Sequence, residues 1–262
     1  PDCCARAVKG MEIVFHLAAL IAIPYSYFNP VHCFDVNTRG TVNLVTACLR
    51  EGVPRLVHTS TSEVYGTPKS VPIYEQHPLQ PQSPYAASKV AADVAVLSYV
   101  RSFNLPAAII RPFNTFGPRQ SARAIVPTII SQLATSGRVR LGNLKPTRDF
   151  VYVADTVNGF LRAGLADGIE GEIIQLSSNQ EISIGELAEM IASLMAVPLV
   201  IERDVDRIRP ENSEVFQLLG CAEKAKALLG WQLSVDLEEG LRRVIDYVSK
   251  SVSRYKPSEN LI

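Results

Sequence analysis

The sequence predicts an α/β fold: a doubly wound parallel sheet with a smaller α/β lobe. Two observations carry this. Apolar runs of strand length alternate with helical patterns up to about residue 118. Such alternation builds βαβ units whose parallel sheet is covered on both faces. The chain has 262 residues, enough for one large α/β domain or for a domain plus a lobe.

The elements follow in order. Residues 13–17 read as a buried strand and 30–50 as a helix. Residues 56–59 form a strand, Pro84–Phe103 a long helix opened by its proline, and 107–111 a strand. After Pro118 the pattern changes. Ile125–Ser136 and 154–166 read as helices, with strands at 139–141 and Ile173–Leu176. Ser183 with Glu186 three residues on is a capping box for a helix over Ile184–Met195. A strand at 199–202 and helices at 221–229 and 237–252 complete the pattern, and the polar tail beyond Arg254 is expected to fray. A boundary at 117–121 divides the chain into 1–118 and 119–262, with some later segments returning to the first part.

Composition narrows the function. The 26 basic and 26 acidic residues balance, so net charge implies no nucleic-acid partner. The five cysteines are odd in number and include no C-x-x-C, which argues against a disulfide framework or zinc site and for a reducing, cytoplasmic setting. Residues 13–34 carry no Asp, Glu, Lys or Arg, but Pro24, Asn29 and Pro30 interrupt the roughly 20 apolar residues that a membrane span needs. A buried strand running into a loop is expected there. The first residues show no secretory signal. His16 and His58 are placed on buried strands, and no second ligand at zinc-like spacing makes them a metal site.

The chemistry centres on Tyr85 and Lys89, in Ser83-Pro-Tyr-Ala-Ala-Ser-Lys89. Four residues apart on a helix, they face the same way. An ammonium beside a phenol favours the phenolate, so Lys89 is expected to lower the Tyr85 pKa and make it a base for a sugar hydroxyl. Ligands in doubly wound sheets sit at the carboxyl ends of the strands. His16-Leu-Ala-Ala19, Thr59 through Glu63, and Pro112 to Asn114 all fall at such ends and are expected to converge.

With Thr61-Ser-Glu-Val-Tyr-Gly66, Arg111-Pro-Phe-Asn-Thr-Phe-Gly-Pro118 and Thr147-Arg-Asp-Phe-Val-Tyr-Val-Ala-Asp155, these segments resemble the extended short-chain dehydrogenase/reductase family, in its nucleotide-sugar branch. The resemblance covers about His16 to Leu241. It implies a Rossmann fold binding NAD and a nucleotide-diphosphate sugar. Thr61, Ser62, Glu63, Tyr85 and Lys89 are the implied catalytic residues. Leu17, Ala18, Ala19, Asn37, Thr59, Ser60, Tyr85, Lys89 and Pro112 would contact the cofactor. Ser26, Tyr27, Asn114, Arg148 and Arg209 would contact the substrate, the arginines because their planar fork suits phosphate.

Thr61-Ser62-Glu63 resembles the corresponding triplet of 4,6-dehydratases, in which the carboxylate takes the C5 proton. Where dTDP-glucose dehydratases have an acid in the middle of that triplet, Ser62 stands here. The same triplet occurs in UDP-glucuronate decarboxylases, and a 4-epimerase needs no such acid, so both siblings stay open. A non-catalytic binding module is the alternative from another class. The segments 20–27 and 209–214 look most like N-acetylhexosamine dehydratases of the legionaminic-acid type.

No Gly-rich phosphate turn occurs in the sequence. The first clear strand resembles the family's fourth, so N-terminal βα units on the order of 60–70 residues are expected to be absent, and this chain alone is expected to be inactive. A homodimer through a four-helix interface, built from helices 30–50 and Pro84–Phe103 and their symmetry mates, is also implied.

Overall fold

The computed structural model describes residues 2–255. Four parallel strands form the main sheet: β1 (Ile13–His16), β2 (Arg55–Thr59), β3 (Ala107–Pro112) and the strand Ile173–Leu176, in that spatial order. The register pairs Val14 with Leu56, His58 with Ile109, and Ile110 with Ile174. Leu56, Val57, Ala108, Ile109, Ile110 and Ile174 are wholly buried, as apolar strands covered on both faces must be.

One face carries α1 (Asp2–Val8), α4 (Gly40–Glu51) and α5 (Pro84–Phe103), whose Val8, Val45, Cys48 and Val96 pack on Leu56 and Ile109. The other carries the helices Val153–Leu165 and Glu223–Leu229, with Phe160, Ala163, Leu229 and Trp231 against Val57, Ala108 and Ile110. Gly159 permits this approach, because a Cβ there would lie 2.5 Å from the Leu176 side chain. A second apolar core lies among the helices Ile125–Ser136, Ile184–Met195 and Leu237–Ser249, around Phe116, Ile130, Leu141, Phe150 and Val244.

Ser183 and Glu186 close the expected capping box, and the helix they open spans Ile184–Met195 as read. The stretch 13–34 differs from expectation. Instead of a strand and loop it folds into β1, then α2 (Ile23–Phe28) and α3 (Pro30–Phe34). Its two prolines, read as breakers, sit in the first turn of each helix, where no N–H is required. Nor is 30–50 one regular helix: a π-helical turn at Asp35–Arg39 joins α3 to α4. Strands of two or three residues at Asn114–Phe116, Thr147–Arg148, Phe150–Tyr152, Ile182–Ser183 and Gln217–Leu218 were too short to show a period. A 3-10 turn, Val252–Tyr255, follows the last helix, and the expected fraying beyond it falls from 256 onward, outside the described residues. Among the described residues, no helix is long and apolar enough to cross a membrane.

Candidate active site

The carboxyl ends of β2 and β3 meet the start of α5. The chain leaves β2 through Thr59 and Ser60, and Thr61 caps a 3-10 turn, Ser62–Tyr65, by accepting from the Glu63 N–H at 3.3 Å. The turn ends on Gly66 at φ 61°, where a Cβ would fall 2.0 Å from the Gln80 carbonyl oxygen. Only glycine fits there. Ser83 caps α5 by accepting from the Ala86 N–H, and Pro84 occupies its first turn. Tyr85 and Lys89 therefore emerge on one buried face, 7% and 3% exposed.

Thr61 does two things at once. It caps its own turn and its side chain also hydrogen-bonds the Tyr85 phenol. Lys89 Nζ donates to the Thr59 carbonyl at 2.6 Å. The expected lowering of the Tyr85 pKa is not found. Burial raises it, and Glu63, Cys33 and Asp93 add to the rise, against the lowering by the Thr61 bond. Lys89 is itself pushed down by burial, and its ammonium rests on a backbone carbonyl rather than on the phenol.

Beside this turn, Arg209 Nη1 lies 3.9 Å from Glu63 Oε1 and 3.8 Å from Glu214 Oε1. Arg148 Nη2 lies 3.6 Å from the same Glu214 oxygen, while its Nη1 donates to the Thr147 carbonyl at 2.9 Å. Two guanidinium groups and two carboxylates thus share one mostly buried cluster beside the Thr61 turn. Tyr27 reaches the same segment: its hydroxyl meets Ser213 Oγ at 2.6 Å, and Ser213 in turn donates to the Gln82 carbonyl at 2.5 Å. The segment carrying Arg209 is tied down further by Gln82, which donates to the Asn212 carbonyl at 3.1 Å.

Two expected ligands are placed otherwise. Ser26 is wholly buried and donates to the Ile23 carbonyl at 2.7 Å, because α2 turns it inward, so it does not reach a sugar. Asn37 is 1% exposed, and its amide is fully engaged. It accepts from the Leu20 N–H at 2.8 Å and donates to the Leu20 carbonyl at 3.0 Å and to Ser88 Oγ at 2.9 Å. It clamps the loop after β1 to α5 instead of offering itself to a cofactor. Ser62 is buried within its turn, and Asn114 is half-buried at the start of its strand.

Leu17 and Ala18 are exposed beyond β1 and Ala19 half-buried, while Thr59 and Pro112 end the neighbouring strands and Ser60 directly follows β2. A groove of about 400 Å³ runs along β1, lined in part by Phe15, His16, Leu17 and Ala18. Those residues with Tyr85 and Lys89 fit the nicotinamide ribose end of a dinucleotide, since they pair an ammonium and a phenol with an exposed apolar loop. The sequence has no Gly-rich turn for the pyrophosphate. Among the described residues, no group of three or more His, Cys, Asp or Glu is arranged to hold a metal.

Sequence reading passed over Glu214, Ser213, Gln82, Asp93 and Arg111. Asp93 carried a usable signal, since it continues the Tyr85–Lys89 spacing by another four residues. Glu214 and Gln82 carried none, because only the folded chain brings Glu214 to Arg148 and Gln82 to Asn212 and Ser213.

The GDP-mannose 4,6 dehydratase family profile matches residues 5–244. A UDP-glucose 4-epimerase of Mycolicibacterium smegmatis is 36% identical over 247 residues, 90% of this chain and 75% of its own. A dTDP-D-glucose 4,6-dehydratase of Mus musculus is 33% identical over 97% of this chain and 72% of its own. UDP-glucuronic acid decarboxylase 1 of Danio rerio is 32% identical over 92% of this chain and 58% of its own. The crystal structure of a Streptomyces venezuelae dTDP-glucose 4,6-dehydratase, with NAD and TYD bound, superposes with a TM-score of 0.89 at 27% identity, covering 98% of this chain and 79% of that one. The chain belongs to the GDP-mannose 4,6-dehydratase family, in the NAD-dependent epimerase/dehydratase branch of the extended short-chain dehydrogenases/reductases.

Proposed function

We propose that the chain carries the catalytic residues of an NAD-dependent nucleotide-diphosphate-sugar 4,6-dehydratase, a lyase. The observation behind this reading is the Glu63 carboxylate, held in the same short turn as Thr61 and facing Tyr85. Tyr85, bonded to Thr61, takes the C4 hydroxyl proton. NAD, when bound, supplies the acceptor that oxidises C4 and later returns the hydride to C6. The resulting C4 ketone acidifies C5, and Glu63 removes that proton. Protonated Glu63 then gives it to the C6 hydroxyl as water leaves, which makes Ser62 dispensable as an acid, and C5 takes a replacement proton from solvent as the hydride reaches C6. Arg148 and Arg209 would receive the diphosphate, and Tyr27 the sugar side of the cleft. Within the branch, the legionaminic-acid type of N-acetylhexosamine dehydratase is the narrower reading.

A second reading keeps the same redox pair in a 4-epimerase or a UDP-glucuronate decarboxylase, since relatives of both kinds stand as near as the dehydratases. The deciding experiment uses the full-length enzyme in D2O. A dehydratase incorporates deuterium at C5, and Glu63→Gln stops that incorporation while C4 oxidation continues. Carbon dioxide released from UDP-glucuronate, or turnover with no deuterium at C5, would overturn the dehydratase reading.

The remaining features belong to the same proposal. The chain divides at about 118, works in the cytoplasm and forms a homodimer. Support for the dimer comes from α5, which carries apolar residues on two sides: Ala92 and Val96 are buried within the chain, yet Val94 on the outer side is 56% exposed. Such a helix is accounted for by a second packed surface. A monomer mass by light scattering of the full-length protein at micromolar concentration would rule this out.

A further inference from the structure

Behind the redox pair lies a buried charge network that the proposed mechanism does not use. Tyr85, Lys89 and Asp93 follow one another at four-residue spacing along one face of α5, and Asp93 is 1% exposed. Its Oδ2 accepts from Ser60 Oγ at 2.7 Å and from Arg111 Nε and Nη2 at 3.2 and 2.9 Å. Arg111, on β3, is as deeply buried, and its third nitrogen donates to the Tyr65 hydroxyl at 2.9 Å. That hydroxyl is also held by Gln175 Nε2 at 2.7 Å, and the guanidinium lies 5.0 Å from the Tyr65 ring centroid. The other Asp93 oxygen, Oδ1, has no hydrogen-bond partner among the described residues and sits 3.4 Å from His58 Nε2.

The charges can be counted. His58, wholly buried on β2, and His16, its neighbour at a 5.3 Å ring separation, are both held neutral chiefly by burial. One anion, Asp93, therefore stands between two buried cations, Lys89 one helical turn below it and Arg111 on the strand. The fork of Arg111 takes the anion. Lys89 is left to the Thr59 carbonyl.

We propose that Arg111 is a positioning residue for the redox pair: by gripping Asp93 from the β3 side, it keeps that carboxylate from closing on Lys89 and leaves the ammonium protons not given to the Thr59 carbonyl for the Tyr85 phenol and the cofactor ribose. This rests on Tyr85 and Lys89 being the redox pair. Without Arg111, the Asp93 charge falls on the groups that face it, Lys89 and Tyr85 along α5 and His58 on β2. The other groups facing Tyr85 and Lys89 stay as they are: Glu63 on the 3-10 turn, Cys33 on α3 and His16 on β1. An unpaired carboxylate stabilises a neighbouring cation and opposes a phenolate.

The test has two arms. Histidine side-chain nitrogen NMR on the chain, which has four histidines, needs neither cofactor nor turnover. Arg111→Met should raise the pH at which His58 protonates by about one unit. Asp93→Asn should lower it, and the double variant should return it to near the wild-type value. In the active full-length enzyme, the acid limb of kcat/KM should move up by about one pH unit in Arg111→Met, a roughly tenfold loss below the limb. If Arg111→Met does not fold, Arg111→Lys keeps a charge but loses the fork, and it should shift both readouts the same way by less. An unmoved His58 titration overturns the charge lock. A moved His58 with an unmoved kinetic limb overturns its link to the redox pair, and the Tyr85 assignment is judged separately by Tyr85→Phe.

Discussion

Replacing Asn37 with alanine tests whether this residue is a clamp. Its amide makes three good hydrogen bonds, two to the main chain of Leu20 and one to Ser88 Oγ, plus a longer one to Cys33 Sγ at 3.4 Å. Neutral buried hydrogen bonds contribute about 1 kcal/mol each, and unpaired partners add to the loss. The substitution should therefore destabilise the chain by about 3 kcal/mol, or some 6–12 °C in Tm at this size. Local effects should appear too. The segment from Leu17 to Ala22 loses its tie to α5, and the side chain that bridges the π turn to Ser88 is gone. Urea denaturation gives the magnitude, and limited proteolysis near Leu20 gives the location. A loss under about 1 kcal/mol with unchanged cleavage would refute the clamp and return Asn37 to the list of candidate cofactor ligands.

Other outcomes follow from the same geometry. Tyr85→Phe in the full-length enzyme should abolish turnover while leaving stability nearly unchanged, because the ring's packing is kept; activity within about tenfold of wild type, a barrier change of only ~1.4 kcal/mol, would remove Tyr85 from the mechanism. His16 is pushed down to about 3, chiefly by burial and also by His58 and Lys89. A base with a depressed folded pKa contributes stability above its unfolded pKa and loses it as pH falls, so the wild-type chain should weaken below about pH 6.5. His16→Gln should flatten that decline by up to about 1.4 kcal/mol per pH unit, read from denaturation midpoints at pH 7, 6 and 5. Calorimetric titration of NAD into the 262-residue chain should show no tight binding, since no Gly-rich turn offers backbone N–H groups to the pyrophosphate; micromolar affinity would show the cofactor is held some other way.

The sheet was legible because burial on both faces leaves near-continuous apolar runs, and 107–111 and Ile173–Leu176 carry them plainly. The shared face of Tyr85 and Lys89 was legible because spacing on a helix fixes which side chains lie together, and Ser83-Pro84 marks where that helix begins. Residues 13–34 were not, because proline ends a helix in one position and begins it in another; Pro24 and Pro30 do the second. The π turn was hidden as well. It coincides with the bonds of Asn37 to Leu20 and of Thr38 to the Ser88 carbonyl, contacts spanning 17 and 50 residues. Electrostatics failed for a related reason. Two titrating groups four residues apart suggest a pKa shift, but its sign depends on what else is buried with them. Here Lys89 donates to the Thr59 carbonyl, while Glu63, Cys33 and Asp93 all bear on the phenol. Lowering the Tyr85 pKa then depends on where the Asp93 charge goes, and Arg111, a residue the sequence offered only as the end of a strand, holds that charge.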